Sequence, residues 1–200
     1  MNTCAVTDSP LLTVLAGAYM SSLLLDFAVR VSVGSNLAPA VVCRLPIGSV
    51  DGPNVDQLVK TYLRLNCLTE AYAPLWEELT SEKWTVDTPI RNALERRRAQ
   101  GEIDRIVAES LGITEDELEM IYRTQFPVMH RYDQEDLYDA NGRKVPKEIV
   151  KENEKCKGDV QLTEQERTWT HPQSQVEYTF EYPFLTYDQW EHHRMRAMES

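Results

Sequence analysis

The feature that most constrains this chain is the run 10–29, PLLTVLAGAYMSSLLLDFAV, which is apolar on nearly every side of a helix. A helix without a polar face must be covered by other elements or by a partner. Asp26 and Arg30 cut the run short of a membrane span. A signal peptide would need basic residues ahead of such a run, and the first basic residue of the chain is Arg30. We therefore predict one buried helix over 10–29 and no membrane association.

Three further stretches carry apolar residues at helical spacing, and together they predict a mainly helical chain. Residues 54–69 have an amphipathic pattern, and a short helix broken near Pro74 follows them. In the next helix Thr88 is a natural N-cap, Pro89 takes the first helical position and Gly112 ends the helix.

The segment after Gly112 carries the signals of one more helix. Thr114 and Glu117 form a capping box at its start, and Pro127 marks its end. Because only Gly112-Ile113 separates this helix from the preceding one, we predict an antiparallel helix pair.

Three stretches predict short strands. Val31 and Val33 alternate with polar residues, and AVVCRL at 40–45 is β-prone. Asn141-Gly142 is a hairpin turn signal, and VEYTFEYPF at 176–184 alternates aromatic with other residues. The predicted fold class is therefore mainly α with a small β component (α+β).

Composition limits the classes of function that this chain can have. Its 200 residues include 32 acidic and 21 basic side chains, for a net charge of −11. Proteins that grip nucleic acid unaided usually carry the opposite balance. Cys4, Cys43, Cys67 and Cys156 lie far apart, without the clustering that a structural zinc site needs. We expect a reduced, cytoplasmic protein that does not bind DNA by itself.

The sequence contains no recognisable active-site motif. Its eight glycines form no phosphate-binding loop, and neither GxSxG nor HExxH occurs. The acidic group Asp133, Glu135, Asp136 and Asp139 is interpreted as structural, and His192-His193 as solvated. We predict no catalytic, cofactor-binding or metal-binding residue.

The one basic feature is RNALERRR at 91–98, which contains Arg91, Arg96, Arg97 and Arg98. Guanidinium groups clustered in this way can contact phosphate groups. They can equally form a solvated helix face that pairs with neighbouring carboxylates. Spacing alone leaves both interpretations open.

Three stretches, in this order along the chain, are similar to segments of a known protein family: FAVRVSVGSNLAPAVVCRLPI, LRLNCLTEAYAPLWEEL and ALERRRAQGEIDRIVAESLGITEDELEMIYRTQFPV. They resemble the C-terminal part of large adenine-specific DNA methyltransferases of the type IIG restriction-modification, BREX and DISARM kinds. The positions that match are Phe27, Arg30, Gly34, Leu37, Leu45, Pro46, Arg96 to Arg98, Ile103-Asp104, Val107-Ala108, Gly112 and Phe126-Pro127.

The resemblance implies a chain without the catalytic core, because no Asn-Pro-Pro-Tyr motif and no glycine motif for S-adenosylmethionine is present. Such a chain would be a split-gene subunit, a remnant or an excised portion. The implied segments are the closing part of a recognition-type domain (1–50), a helical domain (51–130) and an extended aromatic and charged arm (131–200). The candidates for DNA contact are Arg30, Ser35, Asn36, Arg91, Arg96, Arg97 and Arg98.

The leading hypothesis is a non-catalytic DNA-recognition or assembly module of an adenine-specific DNA methyltransferase in a restriction or phage-defence system. Its expected partners are a methyltransferase catalytic subunit or a second copy of the chain, with DNA bound only in the complex and no cofactor. The alternative is an acidic protein-binding module or inhibitor that mimics DNA. An independent enzyme is the third hypothesis.

Overall fold

The computed structural model describes residues 9–32, 42–156 and 160–198. The predicted fold class is confirmed, because helices dominate and the strands are short. The helices are α1 (Pro10–Met20), α2 (Leu23–Ser32), α3 (Val55–Asn66), α4 (Ala73–Thr80), α5 (Ala93–Ser110), α6 (Glu115–Gln125), α7 (Pro127–Glu135), α8 (Lys147–Lys155) and α9 (Tyr187–Met198). The strands are β1 (Leu137–Tyr138), β2 (Thr168–Thr170), β3 (Glu177–Thr179) and β4 (Leu185–Thr186), and a 3-10 turn, Glu70–Tyr72, precedes α4.

The chain divides into two compact units. The first unit consists of Met1–Arg91 and Arg96–Pro127, and the second of Asn92–Glu95 and Val128–Ser200. The division at 127/128 lies close to the end of the predicted 51–130 segment, whereas residues 50 and 51 belong to the same unit.

The apolar run 10–29 folds as two helices rather than the single predicted helix. Helices α1 and α2 meet at a 72° bend. The Ser22 hydroxyl donates to the Tyr19 carbonyl (2.7 Å), which satisfies the last turn of α1 through a side chain. The Leu23 N–H, at the start of α2, donates to the Asp104 carboxylate (2.7 Å). A carboxylate from α5 therefore caps the second helix and stabilises the bend.

The core of the first unit receives side chains from α1, α2, α3, α4 and α5. The largest side chains buried completely in it are Leu15, Leu25, Leu58, Leu63, Ile103, Ile106 and Val107. Most of the run 10–29 is therefore covered within this unit, while Leu12 and Met20 are 41% and 38% exposed. Among the described residues, no single helix is long and apolar enough to cross a membrane, although α1 and α2 satisfy both criteria when counted together across their bend.

Helix α5 begins at Ala93, so the prediction of a start at Pro89 with a Thr88 cap is wrong. The Ile90 N–H donates to the Arg64 carbonyl at the end of α3 (2.9 Å), which holds this segment in a non-helical path. The Asn92 side chain accepts the Glu95 N–H (3.1 Å) and is the actual N-cap.

The junction between α5 and α6 follows the predicted signals. Gly112 has a φ of +75°, and the Ile113 N–H reaches back to the Ala108 carbonyl (2.9 Å), the pattern of a helix that ends in a left-handed residue. The capping box of Thr114 and Glu117 is confirmed at the start of α6. Among the described elements, α6 packs mainly against α2 rather than along α5, with which an antiparallel pair was predicted.

The strand predicted between Val31 and Leu45 is not found in its described parts. Helix α2 continues through Ser32, and residues 42–45 are a helical residue and a turn. Residues 33–41, which include Ser35 and Asn36, lie outside the described residues.

The second unit contains the predicted hairpin at Asn141-Gly142, with a turn one residue longer than predicted. The Asp139 N–H donates to the Arg143 carbonyl (3.0 Å), and Gly142 has a φ of +71°. A type I turn followed by a left-handed glycine is typical of three-residue hairpin loops. Strand β1 continues this hairpin and pairs with β4 in antiparallel orientation.

The alternating aromatic residues of 176–184 differ in their surroundings, although Tyr182 and Phe184 stack with ring centroids 4.3 Å apart. Strand β3 pairs with β2, Tyr178 remains partly exposed, and Phe180 enters the small core of this unit. The Tyr182 hydroxyl donates to the Asn153 side chain (2.6 Å). Phe180 and Phe184 therefore contribute to the core of the second unit, whereas Tyr178 stays exposed.

Candidate functional site

Two of the four arginines of the 91–98 cluster bind carbonyl groups near the end of α3. Arg91 donates to the Leu68 carbonyl (2.9 Å). Arg96 donates through Nη1 to the carbonyls of Leu65 (3.0 Å) and Ile90 (2.9 Å). Cationic groups at a helix C-terminus satisfy its last carbonyls and its partial negative charge. These two arginines therefore have a structural role that the sequence pattern did not indicate.

The other predicted contacts have different surroundings. The Arg97 guanidinium carbon lies 6.0 Å from the centroid of the Tyr122 ring, and Arg98 is half-buried on α5. Arg30 is more exposed, pairs with Asp26 (2.7 Å) and lies 4.5 Å from the Phe126 ring centroid. Of the five candidates in the described part of the chain, Arg96 and Arg97 line one cleft, whereas Ser35 and Asn36 lie outside the described residues.

A cleft of about 360 Å³ in the first unit, which we call the arginine cleft, is lined mainly by polar side chains. It is lined by Ser21 at the bend, by residues near the end of α3 and by residues of α5: Tyr62, Leu65, Asn66, Arg96, Arg97 and Gln100. None of these lining residues carries a carboxylate, although the whole chain has a net charge of −11.

Asp104 is buried close to this cleft. Gln100 hydrogen-bonds its side chain, Arg97 interacts with it electrostatically, and its carboxylate accepts the Leu23 N–H. Burial is the largest influence and raises the pKa of Asp104 to about 6, while its hydrogen bonds and Arg97 act in the opposite direction. Sequence reasoning missed this group, although a carboxylate beside Ile103 in an apolar stripe was a usable signal.

The acidic residues of 133–139 do not form a shared site. Asp136 pairs with Lys144, and Glu135 lies 3.9 Å from Arg131. Asp139 is completely buried, and both its oxygens accept hydrogen bonds within the hairpin. In the described ranges, no three histidine, cysteine, aspartate or glutamate side chains are grouped as metal ligands would be.

A second cleft, of about 550 Å³, lies in the second unit between α8 and the residues around β2. Its walls carry both signs of charge: Lys155 pairs with Glu152 (2.6 Å), and Glu166 accepts the Thr163 N–H (2.8 Å). Trp169 forms part of the wall. Since its charges are mixed and partly paired, this cleft favours no ligand class.

Helix α7 has no buried residue and presents apolar side chains to solvent. Val128, Met129 and Tyr132 are 54%, 44% and 42% exposed. The Arg131 guanidinium carbon lies 5.7 Å from the Tyr132 ring centroid. We call Val128, Met129 and Tyr132 the α7 face. Sequence reasoning missed it, because no helix was predicted after Pro127.

Neither the protein-family models nor the curated proteins nor the solved structures contain a match to this chain. The methyltransferase resemblance therefore stays a prediction from the sequence.

Proposed function

We propose that this chain is a non-catalytic assembly module of an adenine-specific DNA methyltransferase system, located in the cytoplasm beside a catalytic subunit. The methyltransferase part rests on the sequence resemblance. The assembly part is supported by the α7 face, because adjacent exposed apolar side chains can mark a protein–protein interaction site. Its composition also fits an interface, where tyrosine, methionine and arginine are enriched.

DNA contact is the smaller part of the proposal. A contact made within the assembled enzyme would involve the candidates Arg30 on α2 and Arg97 and Arg98 on α5. The acidic balance of the chain would then be compensated by the positive field of the catalytic subunit.

The DNA-mimic hypothesis has less support. A mimic would present acidic groups in an array, whereas the helix surfaces carry ion pairs four residues apart. Examples are Asp26 with Arg30 (2.7 Å) and Glu109 with Arg105 (3.4 Å).

The test of assembly is affinity purification of the full chain from its native host, followed by identification of the bound protein. We expect a protein that contains an Asn-Pro-Pro-Tyr methyltransferase core. The double variant Val128→Glu/Met129→Glu should lose this partner. The control Val160→Glu, which alters a valine that is 66% exposed elsewhere in the second unit, should keep it. Retention by the double variant would exclude the α7 face, and recovery of no methyltransferase would refute the proposal.

The purified chain alone should neither bind S-adenosylmethionine nor methylate DNA. In the assembled enzyme, Arg97→Gln/Arg98→Gln should flatten the dependence of DNA affinity on salt, by a log–log slope of about 0.9 for each lost phosphate contact. Calorimetric binding of S-adenosylmethionine near one-to-one stoichiometry would show that the chain is more than an assembly module.

A further inference from the structure

The arginine cleft is not used by the proposed assembly role, and its donors are arranged for an anion. Arg96 is held in place by the two carbonyls that Nη1 contacts. Its Nε and Nη2 groups make no hydrogen bond to a described residue. These two groups form the edge of the guanidinium that matches two oxygens of a phosphate. Because the side chain is already fixed, binding would order little more of it.

Tyr62 supplies a second donor. Its hydroxyl also makes no hydrogen bond within the described part of the chain. The phenol packs closely against Gly17, where a Cβ would lie 2.8 Å from the ring carbon that carries the hydroxyl. Burial raises the pKa of Tyr62, so the hydroxyl stays protonated and can donate.

The charge of the cleft favours an anion. Arg96 and Arg97 both line it, and the buried carboxylate near it is that of Asp104, which also accepts the Leu23 N–H. The contacts of Arg96 to described residues are two uncharged carbonyls, so its positive charge remains available to a bound anion.

The size of the cleft indicates more than an isolated ion. A volume of about 360 Å³ lies at the lower end of the range for small-molecule sites. Leu65 and the Tyr62 ring add apolar wall beside the donors. We propose that the arginine cleft binds a phosphate monoester, with the phosphate on Arg96 and Tyr62 and the attached organic group against Leu65. This inference goes beyond the proposed function and needs neither DNA nor a partner protein.

The test is a calorimetric titration of the full chain with inorganic phosphate, adenosine 5′-monophosphate, adenosine and acetate. We expect saturable binding of both phosphates and weak or no binding of adenosine and acetate. Arg96→Lys keeps the charge but lacks the two-donor edge, and Tyr62→Phe removes only the hydroxyl. Each should weaken binding of adenosine 5′-monophosphate about tenfold, the loss expected for a hydrogen bond to a charged group.

The matched control is Arg105→Gln, which removes one exposed positive charge from the same helix at a residue that does not line the cleft. It should leave the affinity within about twofold, since exposed charges act weakly over such distances. Circular dichroism verifies the fold of each variant, and Tyr62→Phe decides the outcome if Arg96→Lys does not fold.

Absence of saturable phosphate binding, equal affinity in folded Tyr62→Phe, or acetate binding as tight as phosphate would each overturn the proposal. A 5′-phosphorylated oligonucleotide identifies the source of the phosphate. Tighter binding of the oligonucleotide than of the mononucleotide supports a nucleic-acid end as the ligand, and the reverse order supports a free nucleotide.

Discussion

Asp104 in the first unit and Asp139 in the second are both buried, but their surroundings differ. Asp139 accepts hydrogen bonds from the backbone N–H groups of Asn141, Arg143 and Glu181 and from two guanidinium nitrogens of Arg143, all within 3.3 Å. Asp104 has fewer partners, and its pKa is raised to about 6 by burial.

The difference follows from the size of the two cores. The first unit has an extensive apolar core, so it can hold one carboxylate with few partners. The fully buried apolar cluster of the second unit consists of Val145, Ile149, Leu162 and Phe180. A core this small supplies little stability by itself. The Asp139–Arg143 network therefore has a larger share in stabilising the second unit than Asp104 has in the first.

The largest expected effect is that of Asp139→Asn. The amide cannot accept all the donors that converge on this position, and Arg143 loses its counter-ion. We expect the second unit to lose about 3–5 kcal/mol, as for other broken buried ion pairs. Hydrogen exchange resolved to residues 128–198 measures this loss.

The control for that substitution is Asp26→Asn, which breaks the exposed pair with Arg30. Pairs of this kind contribute at most about 0.5 kcal/mol. If Asp139→Asn lost as little stability as Asp26→Asn, the comparison of the two units would be wrong, because the polar network would then not stabilise the second unit.

Asp104 should give the next largest effect, and its sign depends on pH. Its folded-state pKa of about 6 lies above the ordinary value of 3.8, so the folded protein binds this proton more tightly than the unfolded chain does. The contribution of Asp104 to stability therefore decreases as the pH rises from about 4 to about 6, by roughly 3 kcal/mol in total.

Asp104→Asn should remove this pH dependence and leave stability near neutral pH unchanged or higher, because the amide oxygen still accepts the Leu23 N–H. Asp104→Ala should cost about 1–3 kcal/mol, because that N–H becomes unsatisfied. Urea unfolding of both variants across this pH range provides the measurement. A persistent pH dependence in Asp104→Asn would assign it to another group.

A smaller effect distinguishes the two starting points considered for α5. Asn92→Ala should cost about 1 kcal/mol, because the helix loses its N-cap. Thr88→Ala loses a bond to the Thr85 N–H (2.8 Å) in an exposed turn and should cost at most about 0.5 kcal/mol. Thermal unfolding compares the two, and a larger cost for Thr88→Ala would return the start of the helix to Pro89.

The smallest effect concerns Glu117 and Glu166, one in each unit. Each accepts the N–H and hydroxyl of a threonine three residues earlier, and the backbone N–H is the main cause that lowers the pKa of each below 4.5. The charged form is the bonded one, so its contribution is present above pH 4.5 and is lost as the pH falls through the lowered pKa. NMR titration should show both pKa shifts. Glu→Gln at either position should remove the decrease in stability that this glutamate causes at acidic pH.

Local signals in the sequence were sufficient for several elements. The helical spacing over 54–69 and the capping box at Thr114 depend on neighbours within a few residues, and both appear as predicted. Gly112 and Asn141-Gly142 likewise specify their turns, because a left-handed φ is open to glycine at little cost. The mainly helical class follows from these local patterns.

The bend, the start of α5 and the use of the arginines were decided by tertiary structure. The partner of the Leu23 N–H is Asp104, 81 residues away, and the Ile90 N–H is taken by the Arg64 carbonyl. Likewise, Arg96 binds carbonyls 31 and 6 residues away. A buried polar group takes whichever partner the fold brings within reach, because an unsatisfied group is costly. Periodicity in the sequence predicts which side chains are buried, but it does not predict which distant groups become their hydrogen-bond partners. The arginine cleft forms only where α3, α5 and the bend come together in the tertiary structure.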